Sequence, residues 1–400
     1  MSFSTIRTRV VSFARRIRKA TALILASGAL AACNVAVPGP LGGAGGGGVP
    51  SGNGPTQVAL LVPYGSARGS DTAVAQSLEN AARLAAADLG GSAVSITVYP
   101  TQGTAAGASG AASQAIAAGA QVILGPLYAD NAAAAGVAAA RSGVPVLSFS
   151  NNTSIAGGNV WVLGNTFENT ARRVLQFAAS QGRNRVLVTH GTNEAGQVAA
   201  AAVSSAAPGT GAQITGTMGY ELSQEGIVAA IPTIAAQARS TSSNAVFLTG
   251  NTAGDLPVIS QLLTDAGIGR EDFRYLGLTR WDIPSDALAL PGLQGGYFAL
   301  PDPAPLQQFN SRYSGAYGTS PHPLAGLAYD GMAAIGAISG RGATVGRNTL
   351  TSNSGFAGTN GIFRLRGDGT IQRALAVAQI VNRQAQVVSP APRSFGGAGF

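Results

Sequence analysis

Residues 121–150 read QVILGPLYADNAAAAGVAAARSGVPVLSFS, and this stretch decides the fold. Gln121–Leu124 is a short apolar run that stops at Gly125-Pro126, the signature of a buried strand. Asn131–Ser142 is rich in alanine, the strongest helix former. Val144–Leu147 is apolar again and stops at Ser148. Strand, helix and strand in this span predict a βαβ unit with parallel strands.

The same alternation continues on both sides. Strands are predicted at Val58–Val62, Val94–Tyr99, Arg185–Thr189, Gln213–Met218, Ala245–Leu248 and Arg274–Leu278. Helices are predicted at Thr72–Leu89, Gly107–Ala118, Phe167–Gln181, Ala195–Ala206, Gly226–Ser240 and Leu256–Ala266. The strands are near-continuous apolar runs, as expected of sheets covered on both faces. Gly295–Ala299 reads as a further strand where the chain crosses back, and Leu324–Ser339 as a helix. Gly361–Arg366 and Ala374–Val381 read as a terminal hairpin turned by Gly367-Asp368-Gly369. The pattern predicts an α/β fold of two doubly wound parallel-sheet lobes joined by crossover segments. The N-terminal lobe is expected over 56–165 plus about 300–345, the C-terminal lobe over 166–299 plus about 346–388, and a tail over 389–400.

The net charge of +8 does not belong to these lobes. Of 25 basic residues, six (Arg7, Arg9, Arg15, Arg16, Arg18 and Lys19) precede residue 33 with no acid among them. The remaining 19, all arginine, face all 17 acids. Basic clusters interleaved with aromatics are lacking there, which removes nucleic acid as an expected partner. The basic start is followed by a short apolar run, Ala20–Ala32, and then by Cys33, the single cysteine. That order reads as a secretory signal over residues 1–32, too short to span a bilayer. Residues 33–55 hold the cysteine and a Gly/Pro-rich linker, a flexible tether.

Catalytic material is scarce. One cysteine and two histidines, His190 and His322, leave little for a metal cluster, and no cofactor is expected. The mature chain contains no lysine, so a phosphate-binding P-loop is excluded, and no G-x-S-x-G elbow occurs. A binding protein is therefore favoured over an enzyme. Ligands of open α/β sheets sit at the carboxyl ends of the strands, and with two lobes the cleft between them is the natural site. The loops there supply the candidates Tyr64, Tyr128, Asp130, Ser148, Ser150, Asn151, Asn152, His190, Asn251, Arg280 and Trp281. Ser148–Thr153 is the richest in hydroxyls and amides, although serine and asparagine also form turns. Trp281 beside Arg280 suits stacking on and pairing with an acidic or planar ligand, and equally a surface or interdomain contact.

Leu30-Ala31-Ala32-Cys33 resembles the lipobox of bacterial lipoproteins, which implies lipidation at Cys33, and Asn34 favours the outer membrane. From Thr56 to Val388 the chain resembles the type 1 periplasmic-binding fold in its leucine/isoleucine/valine-binding branch. The resemblance rests on Val58-Ala-Leu-Leu-Val-Pro63, Val122-Ile-Leu-Gly-Pro-Leu127, Val144-Pro-Val-Leu-Ser-Phe-Ser150, Leu327-Ala-Tyr329-Asp330-Gly331 and Gly361–Ile371. Within that fold it is most similar to the penicillin-binding protein activator lipoproteins. The shared features are the lipobox, Gly125-Pro126-Leu127 and the ending Gly361-Ile-Phe-Arg-Leu-Arg-Gly-Asp-Gly369, then Arg373-Ala-Leu-Ala-Val-Ala-Gln379-Ile380. This similarity implies a non-catalytic regulator of peptidoglycan synthesis with a class A penicillin-binding protein as partner. The alternative is a solute-binding lipoprotein of an ABC importer for amino acids, peptides or related small solutes. Amino-acid-binding relatives hold a carboxylate on a loop that matches Ser150-Asn151-Asn152, with Asn152 where a threonine is usual. The aromatic residue expected after His190 is matched by Ala195. The acid that pairs with the ammonium falls near Thr279, beside Arg280. The resemblance thus implies the scaffold without its zwitterion clamp.

Overall fold

The computed structural model describes residues 54–395 except 91, 92 and 270. The expected signal peptide, Cys33 and nearly all of the linker lie outside the described residues. Strands β1 (Thr56–Val62), β2 (Val94–Pro100), β3 (Val122–Leu124), β4 (Val146–Ser148) and β5 (Val160–Val162) form a parallel sheet in the order β2-β1-β3-β4-β5. Helices α1 (Asp71–Asp88), α2 (Ala105–Ala117) and α3 (Ala129–Ala140) connect them. The small side chains are what allow this layering. Ala108, Ala111, Ala112 and Ala115 make a buried face of α2 at helical spacing. A Cβ on Gly136 of α3 would lie 2.4 Å from Val160, so only glycine lets that helix lie on β5. Thr104 caps α2 by accepting from the Gly107 N–H at 3.0 Å.

After Val162 the chain enters α4 (Phe167–Ser180) and a second sheet. Strands β6 (Arg185–Gly191), β7 (Gln213–Tyr220), β8 (Ala245–Leu248), β9 (Arg274–Gly277) and β10 (Tyr297–Leu300) alternate with helices α5 (Glu194–Ala206), α6 (Gln224–Ser240) and α7 (Leu256–Asp265). The two parallel-sheet lobes expected from the sequence are therefore present. The chain then returns. Helices α8 (Pro303–Tyr317) and α9 (Ala325–Ser339) pack Phe309, Tyr313, Ala328 and Met332 into the core that holds Val58 and Leu60.

The end of the chain departs from the expected hairpin. Strands β11 (Phe356–Gly358), β12 (Gly361–Leu365) and β13 (Ile371–Arg373) make a small antiparallel sheet, so the partner of β12 is Ile371–Arg373. Phe363, Leu365 and Ile371 pack into the first core. Strand β14 (Ala376–Val381) crosses to the second sheet and pairs antiparallel with β10 and with β15 (Gln384–Ser389). The second sheet then runs β15-β14-β10-β9-β8-β6-β7. The expected lobe boundary at about 346 thus falls ahead of the crossing, which comes at Ala374, a member of the second core. Among the described residues no helix is long and apolar enough to cross a membrane.

Candidate functional site

The carboxyl ends of both parallel sheets open onto one groove. A cavity of about 700 Å³ is lined from the first lobe by Asp71, Leu127, Tyr128, Phe149 and Ser150, and from the second by Leu278, Arg280 and Leu300. Beside it lies a larger groove of about 1300 Å³ over the second lobe, with Phe167, Glu194, Val198, Leu222, Asp255 and Val258 on its walls. Asn151 and Asn152 line both, so the two spaces adjoin. The smaller one has the size and mixed lining of a small-molecule site.

The Ser148–Asn152 loop is shaped by its own side chains. Ser148 Oγ donates to the Pro126 carbonyl at 3.0 Å and accepts from the Ser150 N–H at 3.1 Å. Ser150 Oγ accepts from the Asn152 N–H at 3.1 Å, and Asn152 Oδ1 from the Ser154 N–H at 2.9 Å. Ser148 is fully buried and lines neither space. Its role is to fix the loop, and the groove receives Ser150, Asn151 and Asn152.

Of the remaining expected contacts, Tyr128, Arg280 and Asn251 face these spaces. Tyr128 donates to Asp71 Oδ1 at 2.6 Å. Burial, then that bond, raises the phenol pKa and keeps it a donor. Arg280 holds Asp282 through Nε at 2.6 Å and Nη2 at 2.5 Å. Asn251 spends its N–H on Asp255 Oδ1 at 2.8 Å and its Oδ1 on the Ala253 N–H at 2.8 Å.

Four expected contacts are placed elsewhere. Trp281 is wholly buried in the second core, tilted on Phe298 with ring centroids 5.7 Å apart and packed against Gly277 and Gly296. It is a core residue and cannot stack on a ligand. Tyr64 turns onto α1 and bonds Glu79 Oε2 at 2.9 Å; burial and that carboxylate raise its pKa. His190 lies half-buried with Nδ1 2.7 Å from the Gly191 carbonyl, and Asp130 is exposed on the first turn of α3. None of these three lines the groove. His322, the other histidine, accepts the Leu324 N–H through Nδ1 at 3.2 Å, and burial lowers its pKa.

Among the groove residues that the sequence reading missed are Asp71, Asn360 and Arg373. Asp71 opens α1, one residue ahead of the predicted helix start, where an acid reads as a favourable helix end. Asn360 and Arg373 reach the cavity from the small third sheet, which was not foreseen. Arg373 pairs there with Asp330 at 2.6 Å, both nearly inaccessible. Among the described residues no group of three or more His, Cys, Asp or Glu side chains is placed to hold a metal ion.

Comparison with known proteins gives the geometry a context. A family model described as periplasmic binding protein matches residues 55–385. A branched chain amino acid ABC transporter periplasmic ligand-binding protein from Burkholderia xenovorans superposes with a TM-score of 0.64 at 16% identity, covering 86% of this chain and 97% of that one. An ABC transporter substrate-binding protein from Desulfitobacterium hafniense, solved with Leu, gives 0.59 at 16% identity, covering 83% and 99%. A solute-binding protein of an ABC transporter from R. palustris, solved with benzoate, gives 0.53 at 16% identity, covering 85% and 98%. No match was found among curated proteins.

Proposed function

The chain belongs to the periplasmic binding protein family and has its type 1 fold, and on that premise we propose that it binds a small organic solute between its lobes for an ABC importer. The observation that carries this reading is the cavity of about 700 Å³ lined from both lobes at the carboxyl ends of the strands. Side chains on both walls let a bound solute favour a closed arrangement of the lobes. The activator reading, with a class A penicillin-binding protein as partner, rests on sequence resemblance alone. The family and the solved relatives favour solute binding over it.

A thermal-shift screen of amino acids, short peptides and small carboxylic acids tests the proposal. A ligand at a hundred times its Kd adds about 2.7 kcal/mol of stability, which raises Tm by several degrees. A flat response across all three classes would rule the reading out.

We further propose that the chain is exported and held in the cell envelope through lipid on Cys33, with its lobes facing the periplasm and the outer membrane as the expected site. Cys33→Ser is expected to move the protein from the membrane fraction to the soluble fraction, since the anchor is then lost. Unchanged membrane association in that variant would refute lipid anchoring.

A further inference from the structure

The larger groove has apolar walls that stay open to water. Val198 on α5, Leu222 ahead of α6, Phe167 at the start of α4 and Val258 on α7 all line it and are 36–55% exposed. An exposed apolar surface rimmed by polar residues marks a place where another molecule binds. The first lobe does not supply that cover. Its part of the lining is Asn151, Asn152, Thr153 and Ser154, all polar. Its most exposed large apolar side chain, Val137 on α3, lies outside the groove. One wall is a helix face: Ala195, Val198, Ala202 and Ser205 follow one another at three- and four-residue spacing along α5. That stripe is about 15 Å long. Apart from Val198 its side chains are small, so a second helix can lie close against it.

The charge of the groove is of one sign. Glu168, Glu194 and Asp255 line it, and no arginine does. Asp255 is satisfied within the lobe, by the Asn251 N–H at 2.8 Å and by the Tyr220 hydroxyl. Glu168 pairs with Arg172 one turn on at 3.3 Å. Among the described residues Glu194 has no ion-pair partner, nor have the exposed Glu221 and Glu225, which flank the lining stretch Leu222–Gln224. Glu194 and Glu225 stand in the first turns of α5 and α6, where an acid is favourable. That preference does not keep arginine out of the lining, in a chain with 19 arginines past residue 33 against 17 acids.

We propose that this groove docks a basic amphipathic helix of another protein, its apolar face on Val198, Leu222 and Val258 and its Lys or Arg side chains on Glu194, Glu221 and Glu225. A helix that lies in an apolar groove anchors through side chains one and two turns apart, which matches the three-turn stripe of α5. The unpaired carboxylates choose the partner: a basic helix gives each of them a counter-charge, and an acidic one meets repulsion. The inference does not depend on the solute reading, since neither Val198 nor Leu222 lines the smaller cavity.

Fluorescence anisotropy with the mature chain tests it against three labelled peptides of about 18 residues, long enough to form a helix. One has a leucine face and lysines elsewhere, the second carries glutamate for lysine, and the third is a scramble of the first without an apolar face. The basic helix is expected to bind, and the other two roughly tenfold more weakly or not at all. The double variant Val198→Ser, Leu222→Ser is expected to weaken the basic helix roughly tenfold or more. The triple variant Glu194→Gln, Glu221→Gln, Glu225→Gln is expected to weaken it roughly three- to tenfold at low salt, with the difference shrinking as salt rises. Val137→Ser, outside the groove, is expected to change nothing. All of these side chains are exposed, so the fold is not at risk. Equal binding of the acidic or scrambled peptide overturns the proposal, and so does an unchanged affinity in the double variant or no binding by any peptide. Self-association of the chain that the double variant abolishes gives the groove to a second copy and overturns it too. A small solute that loses affinity in the double variant, with no peptide bound, does the same and leaves solute binding standing.

Discussion

Arg373→Met is expected to lower the unfolding free energy by about 3–5 kcal/mol, the usual cost of breaking a buried ion pair from one side. Arg373 is 3% exposed and Asp330 is wholly buried. The guanidinium donates through Nη1 to Asp330 Oδ2 at 2.6 Å and through Nη2 to the Leu163 carbonyl at 3.1 Å. Its backbone N–H donates to Asn169 Oδ1 at 3.1 Å, and Asn169 Nδ2 returns a bond to its carbonyl at 3.0 Å. Arg373 therefore stands at the last crossing, touches the first crossing at Leu163 and is tied to α4 of the second lobe. Removing it leaves the Asp330 charge with only the Thr359 and Asn360 side of its environment, including the Thr359 N–H at 2.5 Å. Asp330→Leu strands the guanidinium in the same way. The double variant removes both charges, so its loss should be smaller than the sum of the two single losses. Denaturant titration of the four proteins measures this. Losses below about 1 kcal/mol in both single variants would show that the pair does not hold the crossings together.

That pair also marks where sequence reading stops. The alternation of strands and helices is a local property, and β1 to β4 and β6 to β10 were visible because their apolar runs are short and well bounded. Helix α8 was not expected: its first turn holds Pro303 and Pro305, and few of its side chains are buried, chiefly Phe309 and Tyr313. The hairpin was mispaired because the choice between Ile371–Arg373 and Ala374–Val381 is made by tertiary contact. Ile371 enters the first core, and Ala376 and Val377 enter cores of the second lobe. The site was legible at the level of loops. Tyr128, Ser150, Asn151, Asn152, Asn251 and Arg280 follow from the rule that ligands gather at strand ends. Which way each side chain turns was not. Trp281 follows Arg280 directly yet fills the core, because Gly277 and Gly296 leave a space of indole size. Asp71 was hidden by its position, since an acid at a helix start has a sufficient structural reason to be there.

Gly125→Ala is expected to destabilise the chain by about 3 kcal/mol and to abolish solute binding. Two separate costs combine. Gly125 has a φ of +97°, a conformation that side chains resist at a cost of about 1–3 kcal/mol. The added Cβ would also lie 2.2 Å from the Leu61 carbonyl oxygen and 3.2 Å from the Phe149 ring. Leu61 belongs to β1, so the clash is with a central strand that cannot give way without disturbing the sheet; overpacking of this kind costs about 1–3 kcal/mol more. The backbone displacement would fall on Leu127 and Tyr128, which follow Gly125 and line the cavity, and on Phe149 opposite them. Gly119→Ala separates the two costs. Gly119 has a φ of +89°, but a Cβ there meets nothing within 4 Å. It should lose only about 1–2 kcal/mol and bind normally. Denaturation midpoints of both variants, with calorimetry against whatever ligand the wild type accepts, decide the matter. Equal losses at the two glycines would mean that backbone handedness is the whole effect, and that close approach to β1 does not set the floor of the cavity.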